Sequence, residues 1–441
     1  MKKFAGFITG LLLFWSGCNA QDVLSLSEAI KVALENNFAI KIAANQKAIS
    51  ENNYTLGNAG FLPIAGATSI QNFASNDTYQ ERNDANKTII DIKGAESQQF
   101  NVGTAVNWVI FDGLGMFRTH ERLSEQQQSS NYQLKITMEN TISDVLTIYY
   151  SVALENERIK VLNNSLQLSE RRTDIAKNKY EIGKASKMEY LAAQVDYNSD
   201  KTLLINQEQL LYQAKVDLNR LLAREVAAEV IINDTITINE SLLLEALLES
   251  ANLKNPLLLK SQRDLNIAHL QLREIKSERS PMVSLNSGYS KGRNSSQVGF
   301  SALTQTSGFY YGISASLNLF NGFNLNRRIE NARIQTQIVN HTIDDLKLSL
   351  QADINKMYNK YTTSLDLINI ERQNLGVAKE NENIALDRYT LGNSTPLELR
   401  EAQINAVAAE SRLINAAFST KLAEIELLRL SGRLIESYSN P

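Results

Sequence analysis

A repeat constrains this chain more than any other feature. The stretch "YEIGKASKMEYLAAQVD" at 180–196 returns as "YTLGNSTPLELREAQIN" at 389–405, with tyrosine, glycine, glutamate and an alanine–glutamine pair in register at an offset of 209. "NWVIFDG" (107–113) returns as "SLNLFNG" (316–322) at the same offset, whereas Pro63 and Pro281 differ by 218. The second copy is therefore nine residues shorter between its proline and its FNG turn. A duplication with one variable loop leaves such a pattern. The halves run 24–232 and 242–432, joined by a linker at 233–241 and followed by a tail at 433–441.

Within each half the prolines mark element boundaries. The chain has only five prolines, at 63, 256, 281, 396 and 441, and proline is excluded from helix interiors. Met116–Ile182 contains no Gly or Pro, and Phe323–Leu391 contains only Gly376. Read as continuous helices at 1.5 Å per residue, these stretches span about 100 Å each. Such lengths belong to coiled coils. From Leu399, positions spaced alternately three and four read Leu399, Ala402, Ala406, Ala409, Leu413, Ala416, Thr420, Ala423, Leu427 and Leu430, a heptad seam rich in alanine. The first copy, Tyr190 to Leu221, keeps its seam less cleanly, with Asp200 and Gln207 interrupting it. The helices alone favour a soluble or lipid-anchored coiled-coil adaptor or tether.

The strands argue otherwise. Phe309, Tyr311, Ile313, Ala315, Leu317 and Leu319 alternate with Tyr310, Gly312, Ser314, Ser316 and Asn318. Eleven residues at period 2 match a membrane β-strand in length. Subtracting 209 preserves the phase, placing Phe100, Val102, Thr104, Val106, Trp108 and Ile110 on one face. Strands are expected near 63–74, 99–111, 281–290 and 308–320, with the polar stretches 75–97 and 290–307 as exposed loops. Four strands cannot close a barrel, and open edges do not survive in lipid. Three chains would pool twelve. Gly113 and Gly322, at the strand-to-helix turns, would supply positive φ.

The N-terminus reads as an export signal, with Lys2 and Lys3 before the apolar run "FAGFITGLLLFW". Two processing readings stand. "CNA" fits cleavage after Ala20, giving a signal peptide of residues 1–20, while "SGC" resembles a lipobox that would lipidate Cys18, the only cysteine. No later run approaches ~20 apolar residues. The net charge of −3 shows no basic clustering, so nucleic acid is not an expected partner. His120, His269 and His341 lie far apart in sequence and at unmatched positions of the repeats. With no HExxH, nucleophile elbow or P-loop, neither catalysis, a metal site nor a cofactor is expected.

The export signal, duplication, strand pairs, "VIFDG"/"NLFNG" turns, unbroken helices, "YxxG" turns and alanine-rich return helices together resemble the TolC family of outer-membrane efflux proteins, over essentially the whole chain after the signal. The resemblance implies an α+β membrane protein. It would be a homotrimer whose twelve-stranded β-barrel, four strands per chain, continues into a long α-helical tunnel through the periplasm. It implies a passive exit duct for efflux or type I secretion, surrounded by outer-membrane lipid. A periplasmic adaptor would link the duct to an inner-membrane pump of RND, ABC or MFS class. It further implies that the YxxG turns, with Gly183 and Gly392, form the periplasmic mouth. Tyr389 then matches a tyrosine that holds the mouth shut, and Tyr180 is its first-repeat counterpart. Glu398 and Glu401, six and nine after Gly392, match acidic rings of the constriction, which favour cations, and Glu189 matches an aspartate of the first turn. Ser394 stands where the family has a gate arginine, with Arg388, Arg400 and Lys184 as candidate substitutes.

Overall fold

A computed structural model of the protein describes residues 23–83 and 87–439. The leader, Cys18 and both processing sites lie outside the described residues. The elements are α1 (Leu26–Asn36), α2 (Phe38–Asn53), β1 (Ile64–Glu81), β2 (Ile89–Phe111), α3 (Gly115–Glu181), α4 (Lys187–Leu221), α5 (Leu244–Lys254), α6 (Pro256–Ser277), β3 (Met282–Ser296), β4 (Leu303–Ser316), α7 (Asn324–Leu391), α8 (Pro396–Leu430) and α9 (Leu434–Ser439). The order ααββαα thus occurs twice. Prolines start α6 and α8, where a missing N–H costs nothing. At 67 and 68 residues, α3 and α7 each reach about 100 Å. Among the described residues no helix is long and apolar enough to cross a membrane.

Two compact units form, and neither is a sequence repeat. One takes the chain up to Ile40, Met138–Glu249 and the chain from Asp353 onward; the other takes Lys41–Thr137 and Ser250–Ala352. The first unit holds the main apolar core, in which Ile142, Val145, Leu146 and Tyr149 of α3 meet Ala29 and Ala33 of α1, Leu218 of α4 and Leu428 of α8. The inter-repeat linker is fixed here. Tyr149 and Tyr361 donate to Asp234 and to the Asn239 carbonyl, and the Asn239 N–H donates to Glu424 at 3.1 Å. Within the expected tail, Leu434–Ser439 forms a short helix, and its Leu434 is fully buried in the same core.

The second unit carries one antiparallel sheet of order β1-β2-β3-β4. Its strands outrun the expectation. Most of the polar 75–97 segment is paired, as Ser75↔Glu96, Thr78↔Ile92 and Glu81↔Ile89, and Lys291–Ser296 extends β3. Backbone pairing carries these extensions, because their side chains are mostly polar and only the short run Ile90-Asp91-Ile92-Lys93 alternates, too brief to stand out as a strand. At the other end β4 stops at Ser316, short of the expected 320. Its last partner is Met282, and the preceding Pro281 has no N–H to continue the ladder.

Cross-strand partners share a face, so the register sorts the sheet. One face stacks Trp108, Leu285 and Ile313; then Ala65, Val106, Ser287 and Tyr311; then Ala67, Thr104, Tyr289 and Phe309. The opposite face carries Asn107, Asn286 and Gly312, then Asn101, Gly292 and Thr306. Phe309, Tyr311 and Ile313 are each more than two-thirds exposed. The edges of β1 and β4 are unpaired within the chain.

Candidate functional site

The two YxxG turns lie in the first unit and are built alike. Gly183 and Gly392 take φ of +75° and +83°. Gly183 N–H donates to the Tyr180 carbonyl at 2.9 Å and Lys184 N–H to that of Lys179 at 2.7 Å; Gly392 and Asn393 repeat this on Tyr389 and Arg388 at 3.1 and 2.8 Å. Each is a Schellman stop, for which glycine is the suited residue. Three residues on, Ser186 and Thr395 cap α4 and α8, accepting from the Glu189 and Glu398 N–H groups at 3.2 and 3.3 Å. The whole motif is one helix stop joined to one S/T-x-x-E helix start. This capping position of Glu189 and Glu398 is legible in the S/T-x-x-E spacing of the sequence alone.

The two tyrosines differ. Tyr180 is 40% exposed and stacks on Tyr190, whereas Tyr389 is 1% exposed. The Tyr389 hydroxyl donates to Glu189 at 3.4 Å, and Lys179 donates to its carbonyl at 2.8 Å while lying 4.0 Å from its ring centroid. The second turn is thereby tied to the first. Burial, and then the Glu189 carboxylate, push the Tyr389 hydroxyl up to about 12. A raised acid is stabilising below its ordinary value of 10, and that contribution is lost only as pH climbs through about 12. The tie is thus insensitive to physiological pH.

The acids differ as well. Ser394 donates to Glu398 at 2.5 Å, and this bond, with the Arg388 charge and Thr395, holds Glu398 below the usual carboxylate range. Its contribution is present above that range and is lost as pH falls through the lowered value. Glu401 is exposed and has no hydrogen-bond or ion-pair partner among the described residues.

The substitutes for the missing arginine separate cleanly. Arg388 donates to the Asn393 carbonyl of its own turn at 3.2 Å. Among the described residues Lys184 makes only the backbone bond of its turn. Arg400 crosses from α8 to α4 and grips Asp200 with two bonds of 2.7 and 2.8 Å, with Asp196 at 3.8 Å. Asp200 also accepts from Ser169 of α3, and Arg172 of α3 pairs with Asp196. Gln403 donates to Ser169 and Ser165 at 2.8 and 3.0 Å, and Gln207 donates to Glu155. The residues that interrupt the α4 seam are thus the ones that join it to α3 and α8. On α8, nine of the ten seam positions are buried and Leu413 is half-buried. A hollow of about 450 Å³ lies beside this ladder, lined by Met188, Glu189, Arg172, Pro396, Leu397 and Arg400.

In the second unit Gly113 and Gly322 take φ of +73° and +66°, and each is followed by a second left-handed residue, Leu114 and Phe323. The unit also brings together two histidines that are far apart in sequence. His120 and His269 line one hollow of about 550 Å³, with His120 against Tyr54 at 4.7 Å. No cluster of three metal-ligating side chains forms among the described residues.

A fold of two strand pairs and two coiled-coil hairpins matches known proteins along its length. The outer membrane efflux protein family matches residues 29–224 and 247–433. The chain belongs to this family. Outer membrane protein TolC of Vibrio cholerae is 21% identical over 425 residues, covering 93% of this chain and 91% of that protein. The solved Campylobacter jejuni CmeC outer membrane channel superposes with a TM-score of 0.76 at 14% identity, covering 94% of this chain and 89% of that one. The Vibrio cholerae outer membrane protein VceC does so with a TM-score of 0.75 at 15% identity, over 92% and 96%. Outer membrane efflux proteins are outer-membrane channels that extend into the periplasm, not enzymes, and they work with an adaptor and an inner-membrane pump. Membership therefore removes the reading of this chain as a coiled-coil tether.

Proposed function

We propose that three copies of this efflux channel pool their strands into a closed twelve-stranded barrel. The apolar face meets lipid, and the Asn- and Gly-rich face lines the lumen. The observation that carries this reading is the sheet itself: it presents an exposed apolar face and has two unpaired edges, β1 and β4, which lipid does not tolerate. The division into repeats at 24–232 and 242–432 accounts for the doubled element order. The α3–α4 and α7–α8 turns form the periplasmic mouth, where an adaptor docks and through which a pump of RND, ABC or MFS class delivers cargo. Tyr389–Glu189 and Arg400–Asp200 hold the two hairpins of each chain together at that mouth, with Arg400 taking the role of the absent arginine. Glu401, exposed and unpaired, faces the pore and selects cations, while Glu398 mainly caps α8.

The test is purification in detergent followed by planar-bilayer recording. The expected result is a trimeric mass and a cation-selective conductance whose selectivity falls in E401Q and changes little in E398Q. A monomer without conductance would overturn the reading of the barrel. Unchanged selectivity in E401Q would remove that residue from the pore.

A further inference from the structure

The sheet register places two cations where the apolar face ends. On β3, Lys291 pairs with Val102 and Ser307, and Arg293 pairs with Phe100 and Gln305. Both therefore lie on the face that carries Trp108, Ile313, Tyr311 and Phe309. The rows between Val283 and Tyr289 on that face contain no charged residue. At about 3.4 Å per residue and a tilt of about 40°, Lys291 stands roughly 21 Å and Arg293 roughly 26 Å above Val283. A barrel's apolar band is about 25 Å tall, so the two cations straddle its outer edge.

No carboxylate among the described residues neutralises them. Both side chains are exposed, and neither has an ion-pair partner among the described residues. The nearest carboxylate farther out on that face is Glu96, two rows beyond Arg293 and paired with Ser75. Aromatic side chains flank them, with Phe100 beside Arg293, Tyr289 and Phe309 one row inward from Lys291, and Phe73 one row outward from Arg293. Girdles of aromatic residues flank the apolar band of an outer-membrane barrel at its interfaces. This end of the sheet carries the hairpin turns, whereas the opposite end feeds the helices that extend into the periplasm. The cations therefore meet the outer leaflet.

We propose that Lys291 and Arg293 bind the phosphates of an anionic glycolipid in the outer leaflet, forming one lipid-binding patch per chain. The inference rests on the barrel reading above. Two cations about two residues apart on one strand face suit a headgroup carrying more than one phosphate. The lysine stem lies along the apolar rim and lifts its ammonium to the headgroup level. Three such patches would encircle the trimer and fix its depth in an asymmetric membrane.

The experiment titrates the purified trimer in mixed micelles with bis-phosphorylated lipid A, with the same lipid after phosphatase treatment, and with inorganic pyrophosphate. Conductance is recorded from the same samples. Each basic group near a charged surface contributes about fivefold, so K291Q/R293Q should bind lipid A roughly thirtyfold more weakly. K291R should bind as wild type does, and dephosphorylated lipid should match the double variant. The inference is overturned if the double variant binds within a few-fold of wild type, or if dephosphorylated lipid binds equally well. Pyrophosphate binding as tightly as lipid A would also overturn it, by revealing a soluble-anion site. Normal conductance with any of these results removes the lipid patch alone; absent conductance removes the barrel reading with it.

Discussion

Helices α4 and α8 are the same element made twice. Both have 35 residues, both follow a Schellman glycine, and both are capped by a hydroxyl with glutamate at the third helical position. Their seams have nevertheless diverged. Asp200 and Gln207 correspond, at the 209 offset, to Ala409 and Ala416. At its seam positions α8 packs by close apolar contact, while α4 sets Asp200 and Gln207 there, in a ladder of buried ions and amides that α8 meets from off its seam with Arg400 and Gln403. A buried ion pair adds little net stability over an apolar contact, but removing one partner is costly. The apolar seam gives α8 its adhesion; the ladder gives α4 a fixed partner and register.

Substitutions that exchange the two solutions test this contrast. The largest effect is expected for A409D, which buries a carboxylate at a 1% exposed position with no cation provided. It should cost about 4 kcal/mol or more and lower the apparent melting temperature of the helical signal in detergent most of all. D200A should come next, at about 3 kcal/mol, because it leaves the Arg400 guanidinium with only the more distant Asp196 as a counter-charge. If D200A matches wild type, the ladder does not hold the hairpins together.

The strand-to-helix turns come next. A Cβ on Gly113 would lie 2.4 Å from the Ser277 carbonyl oxygen and 2.5 Å from Ser280 Cβ, whereas one on Gly322 would meet nothing nearer than 3.9 Å. G322A should therefore cost about 1 kcal/mol for its left-handed backbone, and G113A about 3 kcal/mol or more. Equal losses would mean that the packing around Ser277 yields. The smallest effects are expected for S186A and T395A, at about 1 kcal/mol each. Here the copies should agree, because their caps are geometrically the same, and unequal losses would break the equivalence of the two turns.

How far the sequence reached depended on the range of the interactions involved. The alternation through Phe309–Leu319 and its echo at Phe100–Ile110 disclosed the apolar face of the sheet, because side chains return to one side of a strand every second residue, although 317–319 lie beyond the end of β4. The proline-free stretches, with Gly376 as their single glycine, disclosed α3 and α7 for an equally local reason. The extension of β1 and β2 through 75–97 was hidden, since its residues are mostly polar and the alternation of Ile90-Asp91-Ile92-Lys93 is too short to stand out. The Arg400–Asp200 grip joins residues 200 positions apart, and no local pattern marks it. Glu189 and Glu398 were assigned to the pore on resemblance, although their place in an S/T-x-x-E motif already gave them a local task.

The unpaired edges of β1 and β4 have a consequence for inheritance. On the trimeric reading, a chain whose edge strand cannot pair takes a place in a ring that two sound chains need to complete. In a cell making both kinds of chain, the share of intact channels falls as the cube of the sound fraction. A defect at either edge should therefore behave as dominant, whereas a defect confined to a tip turn still permits closure of the barrel and should be partly masked by its neighbours.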